Sequence, residues 1–582
     1  MSDSSKPVSR RDLLTGAAAA TLGAGALGAC QASPGRQWDQ AVDIVVVGSG
    51  AAAATAAVIA SDNGDSVLML EKASTVGGTA AKSAGVLWVP DNFTLRERGI
   101  EDLRDDCLRY MARFAYPERY DVNSPTLGVS PGEFSLLEAF YDNASPAMDR
   151  LRDAGALNLA EWRMFALDRP ATDYLDNVPE NKVPAGRALG PVDAEGKMGL
   201  GTLLMEQLHA AINARDIPVL TGHRVVRVVL NGDGRVVGVE ADKDGAILSV
   251  GARKAVIFGT GGYVHNPEFI SKYQRTALVG ACAKPDSTGD FINIGGAAGA
   301  RLGNLSCAWR SQVVLDEVLV NRVLGAGVFY PPGDSMLQVN RYGMRAVNEH
   351  RNYNDRTEIH SVYNPSRAEF PNQLMFMVYD QRTAEAFAGV YPIPSKPADA
   401  PAIAGDSLAD LADKLDARLA EIADQTGGLR LDPAFADKLA TTVARFNGFA
   451  QAGRDDDFRR GEAAYDTEWH PVFSPMRADT DWPANDSPNI TMHPLRDEGP
   501  YYAIILAAGA LDTCGGPVID AKARVLDTQD QPIPGLYGAG NCIASPSREA
   551  YYGAGHTLGH AVTFGYIAAN AAHDETPAGA DA

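Results

Sequence analysis

The sequence predicts an α/β fold that opens on a βαβ unit, and three observations predict it. Residues 41 to 47 form a near-continuous apolar run of strand length that ends in Gly48-Ser49-Gly50. A small-residue helix from Ala51 to Ala60 follows, and then a second apolar run, Val67-Leu68-Met69-Leu70. Further on, Ala255 to Phe258 and Gly535 to Gly538 are again strand-length segments that run into glycine turns. Short apolar runs bounded by glycines read as buried strands.

Taken in order, residues 1 to 30 stand apart from the body. Ser9-Arg10-Arg11-Asp12-Leu13-Leu14, an Ala/Gly/Leu-rich run and Leu27-Gly28-Ala29-Cys30 have the charged start, modest apolar run and small terminal residues of a signal peptide. The arginine pair is similar to a twin-arginine (Tat) export signal, and Leu-Gly-Ala-Cys to a lipobox whose cysteine is lipidated after cleavage. The expectation is Tat export to the periplasm or cell envelope, with lipid on Cys30 as the only membrane attachment. No later segment has 18 uninterrupted apolar residues, so a spanning helix is not expected in the body.

The βαβ unit carries Gly48, Gly50 and Ala53 at G-x-G-x-x-A spacing, and Glu71 stands 23 residues after Gly48. The glycines let backbone N–H groups approach a pyrophosphate at the helix N-terminus, and the acid can accept both hydroxyls of a ribose. Val225 to Leu230 and Val236 to Ala241 flank Asn231-Gly232-Asp233-Gly234, a hairpin signal. Two helical stretches between 405 and 453 are separated by Thr426-Gly427-Gly428, and a helix from about Gly555 to Ala572 closes the chain.

At 582 residues the chain exceeds what one hydrophobic core supports, so two domains are expected after the leader. A net charge of −21 argues against a nucleic-acid partner, which would need clustered Lys and Arg. The six cysteines include no CxxC or CxxCH pair, so no zinc, iron–sulfur or haem site is expected.

Several segments in this order resemble the fumarate reductase/3-ketosteroid dehydrogenase superfamily of FAD enzymes. They are Glu71-Lys72 through Gly77-Gly78-Thr79, Val256 to Gly262, Arg445-Phe446-Asn447 through Asp457-Phe458-Arg459-Arg460-Gly461, Gly515-Gly516, Gly535 to Asn541 and Thr563-Phe564-Gly565. The resemblance covers about residues 41 to 572 and implies a discontinuous Rossmann-like FAD-binding domain with an inserted α+β catalytic cap. By analogy the FAD domain spans 40–307 and 513–575, and the cap 308–512. Lys72, Gly78, Thr79, Gly261, Gly540 and Asn541 join Gly48, Gly50, Ala53 and Glu71 as expected cofactor-binding residues. Ser74 to Thr79 contains no histidine where covalent members attach flavin, so the FAD is expected to be non-covalent.

Members of that superfamily that reduce fumarate grip a dicarboxylate with Arg and His, because buried carboxylates need cationic partners. Five positions after Asn348 such enzymes carry a catalytic Arg; here the residue is Tyr353. Their His before the Gly-Gly pair is matched by Leu511 or Asp512, and their C-terminal Arg falls near Tyr551 and Tyr552. The 3-ketosteroid Δ1-dehydrogenases are similar residue by residue instead. Asn348-Glu349 followed by Tyr353 resembles their N-E-x-x-x-Y, whose Tyr is the base. Tyr551-Tyr552-Gly553-Ala554-Gly555 resembles their Y-P-G-x-G, whose Tyr hydroxyl and last Gly N–H hold the ketone oxygen. Asp173-Tyr174 resembles the D-Y pair whose Tyr supports the base, within a segment that otherwise matches poorly. Two departures are Tyr552 in place of Pro and His556 after the turn.

The chemistry stands on its own terms. Oxidising a C–C bond beside a ketone removes an acidic proton and a hydride; neutral donors on the ketone oxygen stabilise the enolate, as an oxyanion hole does. A tyrosinate serves as base where neighbours lower its pKa. The resemblance thus implies 1,2-dehydrogenation of a 3-ketosteroid or similar hydrophobic cyclic ketone, with Tyr353, Tyr551, Gly555 and Tyr174 as catalytic residues and an external electron acceptor. The alternatives are a ketosteroid or enoate oxidoreductase of other position or direction, and, from another class, a non-catalytic flavin-binding electron-transfer lipoprotein.

Overall fold

The computed structural model describes residues 37–164 and 167–578. The expected leader, with Arg10, Arg11 and Cys30, lies outside the described residues. Among these, strand Gln40–Val47 pairs in parallel with Val67–Leu70 on one side and with Ala246–Phe258 on the other. Val219–Leu220 extends the sheet beyond Val67–Leu70. On the opposite side Pro532–Gly538, almost 300 residues after its neighbour, pairs in parallel with Val256 to Phe258. The hairpin read at 225–241 is present as Arg224–Leu230 and Val236–Lys243, and its second strand joins the edge of Ala246–Phe258.

Helix Ala51–Asp62 packs between this sheet and helix His556–His573, and every residue from Ala51 to Ala60 is buried. Small side chains allow that approach: a Cβ on Gly565 would lie 2.5 Å from the Ala52 carbonyl oxygen. The glycine turn is equally constrained. Gly48 has φ +104°, and a Cβ there would stand 2.5 Å from the Gly259 carbonyl oxygen.

The second sheet is mixed and centres on Tyr501–Thr513, buried almost throughout and apolar over most of its length. Antiparallel partners are Ala308–Val314, Leu374–Asp380 and Ile403–Gly405, with Met336–Val339 beyond Leu374–Asp380. Ala308 and Thr513 are cross-strand partners, so the chain enters and leaves this layer at one place. A short parallel strand, Gly280–Ala281, also joins it, from a segment earlier than 308. Helices Leu408–Glu421 and Phe435–Ala452 cover one face through Leu411, Leu415, Leu439, Val443 and Phe446. The molecule is thus a discontinuous Rossmann-like domain carrying an inserted α+β cap.

Candidate active site

Between the two layers runs one continuous cavity. Gly48, Gly50, Glu71, Lys72, Gly78, Thr79, Gly261, Gly540 and Asn541 line it, and Tyr174, Tyr353, Tyr551 and Gly555 stand on its walls. Ala53 is a correction: it is fully buried, does not line the cavity, and lies where a Cβ on Gly259 would come within 2.8 Å of its nitrogen. Its small size serves helix–strand packing rather than ligand contact.

The nucleotide half is pre-set. Glu71 accepts from the Ser49 hydroxyl at 2.6 Å and from the Ala73 N–H at 2.8 Å, which fixes the carboxylate while leaving each oxygen a lone pair. Lys72 lines the cavity with its ammonium held by Asp290 at 3.1 Å and Thr288 at 2.7 Å, so its side chain is tied to the protein. Gly50 faces open space, so that any Cβ would occupy the cradle above the helix N-terminus. Gly78, with φ +54°, would place a Cβ 3.3 Å from the Gly50 Cα. Asn541 accepts from the Trp309 indole at 2.9 Å and so connects the glycine turn to the far chamber. A phosphate-sized cradle, a ribose-binding acid and a long channel beyond them fit a dinucleotide.

In the far chamber the wall is aromatic: Trp162, Trp309, Phe329, Trp469 and Phe473 stand with the three tyrosines, and among the described residues neither Arg nor His lines it there. No sequence motif marks these five, because a core Trp or Phe leaves the same signature. Tyr353 begins the helix Tyr353–Thr357, which Asn352 caps by accepting from the Asp355 N–H. The preceding Asn348-Glu349 pair anchors that helix. Asn348 donates to Asp466 at 2.8 Å, and fully buried Glu349 receives Arg345 at 2.7 and 2.8 Å and Arg460 at 3.4 Å. The Arg459-Arg460-Gly461 motif thereby has a task, which is to close the ion cluster beneath Tyr353.

Tyr174 approaches from the other domain. Asp173 fixes its loop by accepting from the Trp88 indole at 2.8 Å and from Arg187 at 2.6 Å, and Arg187 also forks onto Asp102 at 2.6 and 2.7 Å. Burial raises the Asp173 carboxyl to about 6, against the pull of Arg187. So held, the Tyr174 hydroxyl donates to the Tyr353 hydroxyl at 3.0 Å. Its ring stacks on Tyr551 with centroids 5.2 Å apart, and the Tyr353 and Tyr551 centroids are 5.5 Å apart. Burial pushes the Tyr353 phenol well above its ordinary range, and the Tyr174 and Tyr551 phenols add to the rise. Burial also raises Tyr551, with Tyr353 and Thr557 acting the other way.

Gly555 has φ +88°, and a Cβ on it would sit 2.4 Å from the Val86 carbonyl. Its carbonyl accepts from the Trp88 N–H at 3.0 Å, while its own N–H makes no hydrogen bond among the described residues. Tyr552 and His556, the two departures from the family pattern, turn away from the chamber: Tyr552 packs on Trp88 and Tyr110, and His556 bonds Ser547 at 2.8 Å. Sequence reasoning also missed Lys82 and Lys284. Both line the cavity and neither has a carboxylate within ion-pair distance among the described residues. A lone lysine in the small-residue stretch Gly77 to Gly85 was the available signal.

The model of the FAD binding domain family matches residues 43–558. The chain belongs to that family. This flavoprotein is 31% identical over 561 residues to 4-oxocyclohexanecarboxylate 2-dehydrogenase of Sinomonas cyclohexanicum, covering 90% of this chain and 92% of the relative. It is 30% identical over 595 residues to 3-oxosteroid 1-dehydrogenase of Mycolicibacterium smegmatis, covering 91% and 97%. Among solved structures, 3-ketosteroid Δ1-dehydrogenase of Sterolibacterium denitrificans in complex with 1,4-androstadiene-3,17-dione is similar with a TM-score of 0.74 and 26% identity, over 92% of this chain and 99% of that one. The flavoprotein is an FAD-dependent oxidoreductase acting on CH–CH bonds, which sets aside the non-catalytic alternative.

Proposed function

We propose that this enzyme removes the 1,2-hydrogens of a 3-ketosteroid or similar hydrophobic cyclic ketone. The observation that carries the reading is the meeting of Tyr174, Tyr353 and Tyr551 in an aromatic chamber that no described Arg or His lines, beside a Gly555 N–H that no described residue engages. The aromatic wall excludes water and favours a flat apolar ring. Tyr551 O–H and Gly555 N–H polarise the ketone oxygen, and Tyr353 takes the proton from the adjacent carbon. Tyr174 O–H donates to the Tyr353 oxygen and, staying neutral itself, would hydrogen-bond the phenolate that must be present for that step, against the burial and the neighbouring phenols that raise its pKa. Bound FAD supplies the hydride acceptor. An external acceptor removes the electrons afterwards, and the leader implies that all this happens outside the cytoplasm.

One observation favours a second substrate within the same chemistry. Burial, with Lys284 beside it, holds the Lys82 ammonium below its usual range, and both cations face the cavity without an acidic partner among the described residues. A smaller cyclic ketone bearing a carboxylate would supply that partner, as the name of the Sinomonas relative suggests. Anaerobic bleaching of the bound flavin tests both: a panel of 3-ketosteroids is set against 4-oxocyclohexanecarboxylate, with fumarate tried as oxidant of the reduced enzyme. Rapid reoxidation by fumarate with no bleaching by any ketone would refute the reading.

A further inference from the structure

The fully buried arginines of this protein divide sharply. Arg187 pairs with Asp102 and Asp173, Arg382 with Asp334, and Arg460 with Glu349. Arg356, also at 0% exposure, has no carboxylate within ion-pair distance among the described residues. Its guanidinium donates only to neutral oxygens: Gln312 Oε1 at 2.9 Å and the carbonyls of Val328, Arg351 and Glu349 at 2.6, 2.7 and 3.2 Å. A buried cation without a counter-ion is costly, and a negative charge formed nearby would offset that cost.

Arg356 lies three residues beyond Tyr353 on the same short helix. From helix Ala464–Phe473 its charge is felt by Tyr465, whose buried hydroxyl has no hydrogen-bond partner among the described residues, and by Asp466. From the 328–330 segment it faces Tyr330, whose hydroxyl is occupied by the Asp466 carbonyl at 2.7 Å. The acids around it are engaged elsewhere: Glu349 by Arg345 and Arg460, Asp355 by Arg351, and Asp466 by Asn348 and the Gly461 N–H, its pKa raised by burial. His360 lies close enough to feel the cation and is held neutral by burial. Tyr465 in turn meets Tyr174 edge-on with ring centroids 5.2 Å apart, and Tyr174 donates to Tyr353.

We propose that Arg356 is the counter-charge of the catalytic base, acting as a positioning residue on Tyr353 through the phenols of Tyr465 and Tyr174. The inference rests on the reading of Tyr353 as base. Burial opposes a phenolate there, and Tyr174 alone supplies a dipole but no charge. Arg356 supplies the charge. The free Tyr465 hydroxyl can turn its oxygen to the guanidinium and its proton toward Tyr174, which orients both dipoles to favour a negative Tyr353. In keeping with this, Arg356 is the first group that pulls the Tyr465 phenol down against burial, and Tyr465 is the first that opposes the burial which lowers the guanidinium to about 10.

The test is the pH profile of anaerobic flavin reduction in holoenzyme, with the most active ketone of the panel as probe. A parallel near-ultraviolet titration of phenolate, wild type minus Tyr353→Phe, needs no substrate. Arg356→Gln should move the apparent pKa of the base upward by about one unit or more, slowing reduction about tenfold below it. Tyr465→Phe should move it in the same direction with flavin content unchanged, Arg356→Lys should restore most of it, and the double variant should add little to Arg356→Gln alone. Because Tyr465→Phe removes a hydroxyl that has no partner, it should fold even if Arg356→Gln does not. An unshifted profile in Tyr465→Phe, with Tyr353→Phe inactive, overturns this inference and leaves the base in place. Full activity of Tyr353→Phe overturns the base itself, and this inference with it.

Discussion

Replacing Tyr353 by Phe removes one oxygen and leaves the ring in its aromatic wall. The loss unpairs the Tyr174 hydroxyl, now 3.0 Å from its acceptor, and a buried unpaired donor costs about 1–3 kcal/mol. Against a typical stability of about 5–15 kcal/mol the protein should remain folded and yellow. Removing a general base typically slows reaction about 10²- to 10⁴-fold, equivalent to about 3–5 kcal/mol of barrier. The pH dependence sharpens the expectation. Burial holds the Tyr353 phenol well above its ordinary range, so it is protonated at neutral pH. Lower pH protonates it further and higher pH frees it, so wild-type flavin reduction should rise about tenfold per pH unit below that pKa. Stopped-flow reduction under anaerobic conditions measures both rate and slope. A variant that reduces flavin at the wild-type rate, or keeps the wild-type slope, would refute the assignment.

Tyr551→Phe should weaken ketone binding as well as slow reduction, because its donor acts on the oxygen before and during enolisation; spectral titration and rate together show the split. Gly48→Ala should abolish FAD binding, since φ +104° and a Cβ 2.5 Å from the Gly259 carbonyl leave no room without displacing the turn; flavin content of the purified variant decides it. Wild type should release intact FAD on acid precipitation, and colour remaining with the pellet would contradict a non-covalent cofactor. Arg10→Lys with Arg11→Lys should retain folded, yellow protein in the cytoplasm, and Cys30→Ala should permit export but prevent lipid attachment; fractionation and lipid labelling check each.

What could be read from the sequence was local, and what escaped it was assembled over distance. The Gly48-Gly50 turn, the alanine helix and Glu71 lie within 24 residues, so strand, turn, helix and acid constrain one another. Tyr353 and Tyr551 were legible because each belongs to a short motif, Tyr353 following Asn348-Glu349 and Tyr551 opening the run that ends at Gly555. Tyr174 was less so: the loop that carries it is fixed by Arg187, Asp102 and Trp88 rather than by its neighbours in sequence. The engagement of Lys72 by Asp290, 218 residues away, has no local trace. Nor does the isolation of Arg356, which is a property of where the carboxylates went.

The parallel pairing of Pro532–Gly538 with Ala246–Phe258 has a consequence in time. Gly540 and Asn541, which follow that strand, form part of the cofactor cavity, and helix His556–His573 covers the alanine helix beside it. At about 5–20 residues per second, the first strand waits roughly 25–100 s on the ribosome before these last pieces are made. A nascent chain therefore has no closed nucleotide site to load, and FAD enters after synthesis ends. If the chain leaves the cytoplasm folded, as proposed, cofactor capture has to fall between translation and export, and flavin supply would then set how much of it is ready to travel.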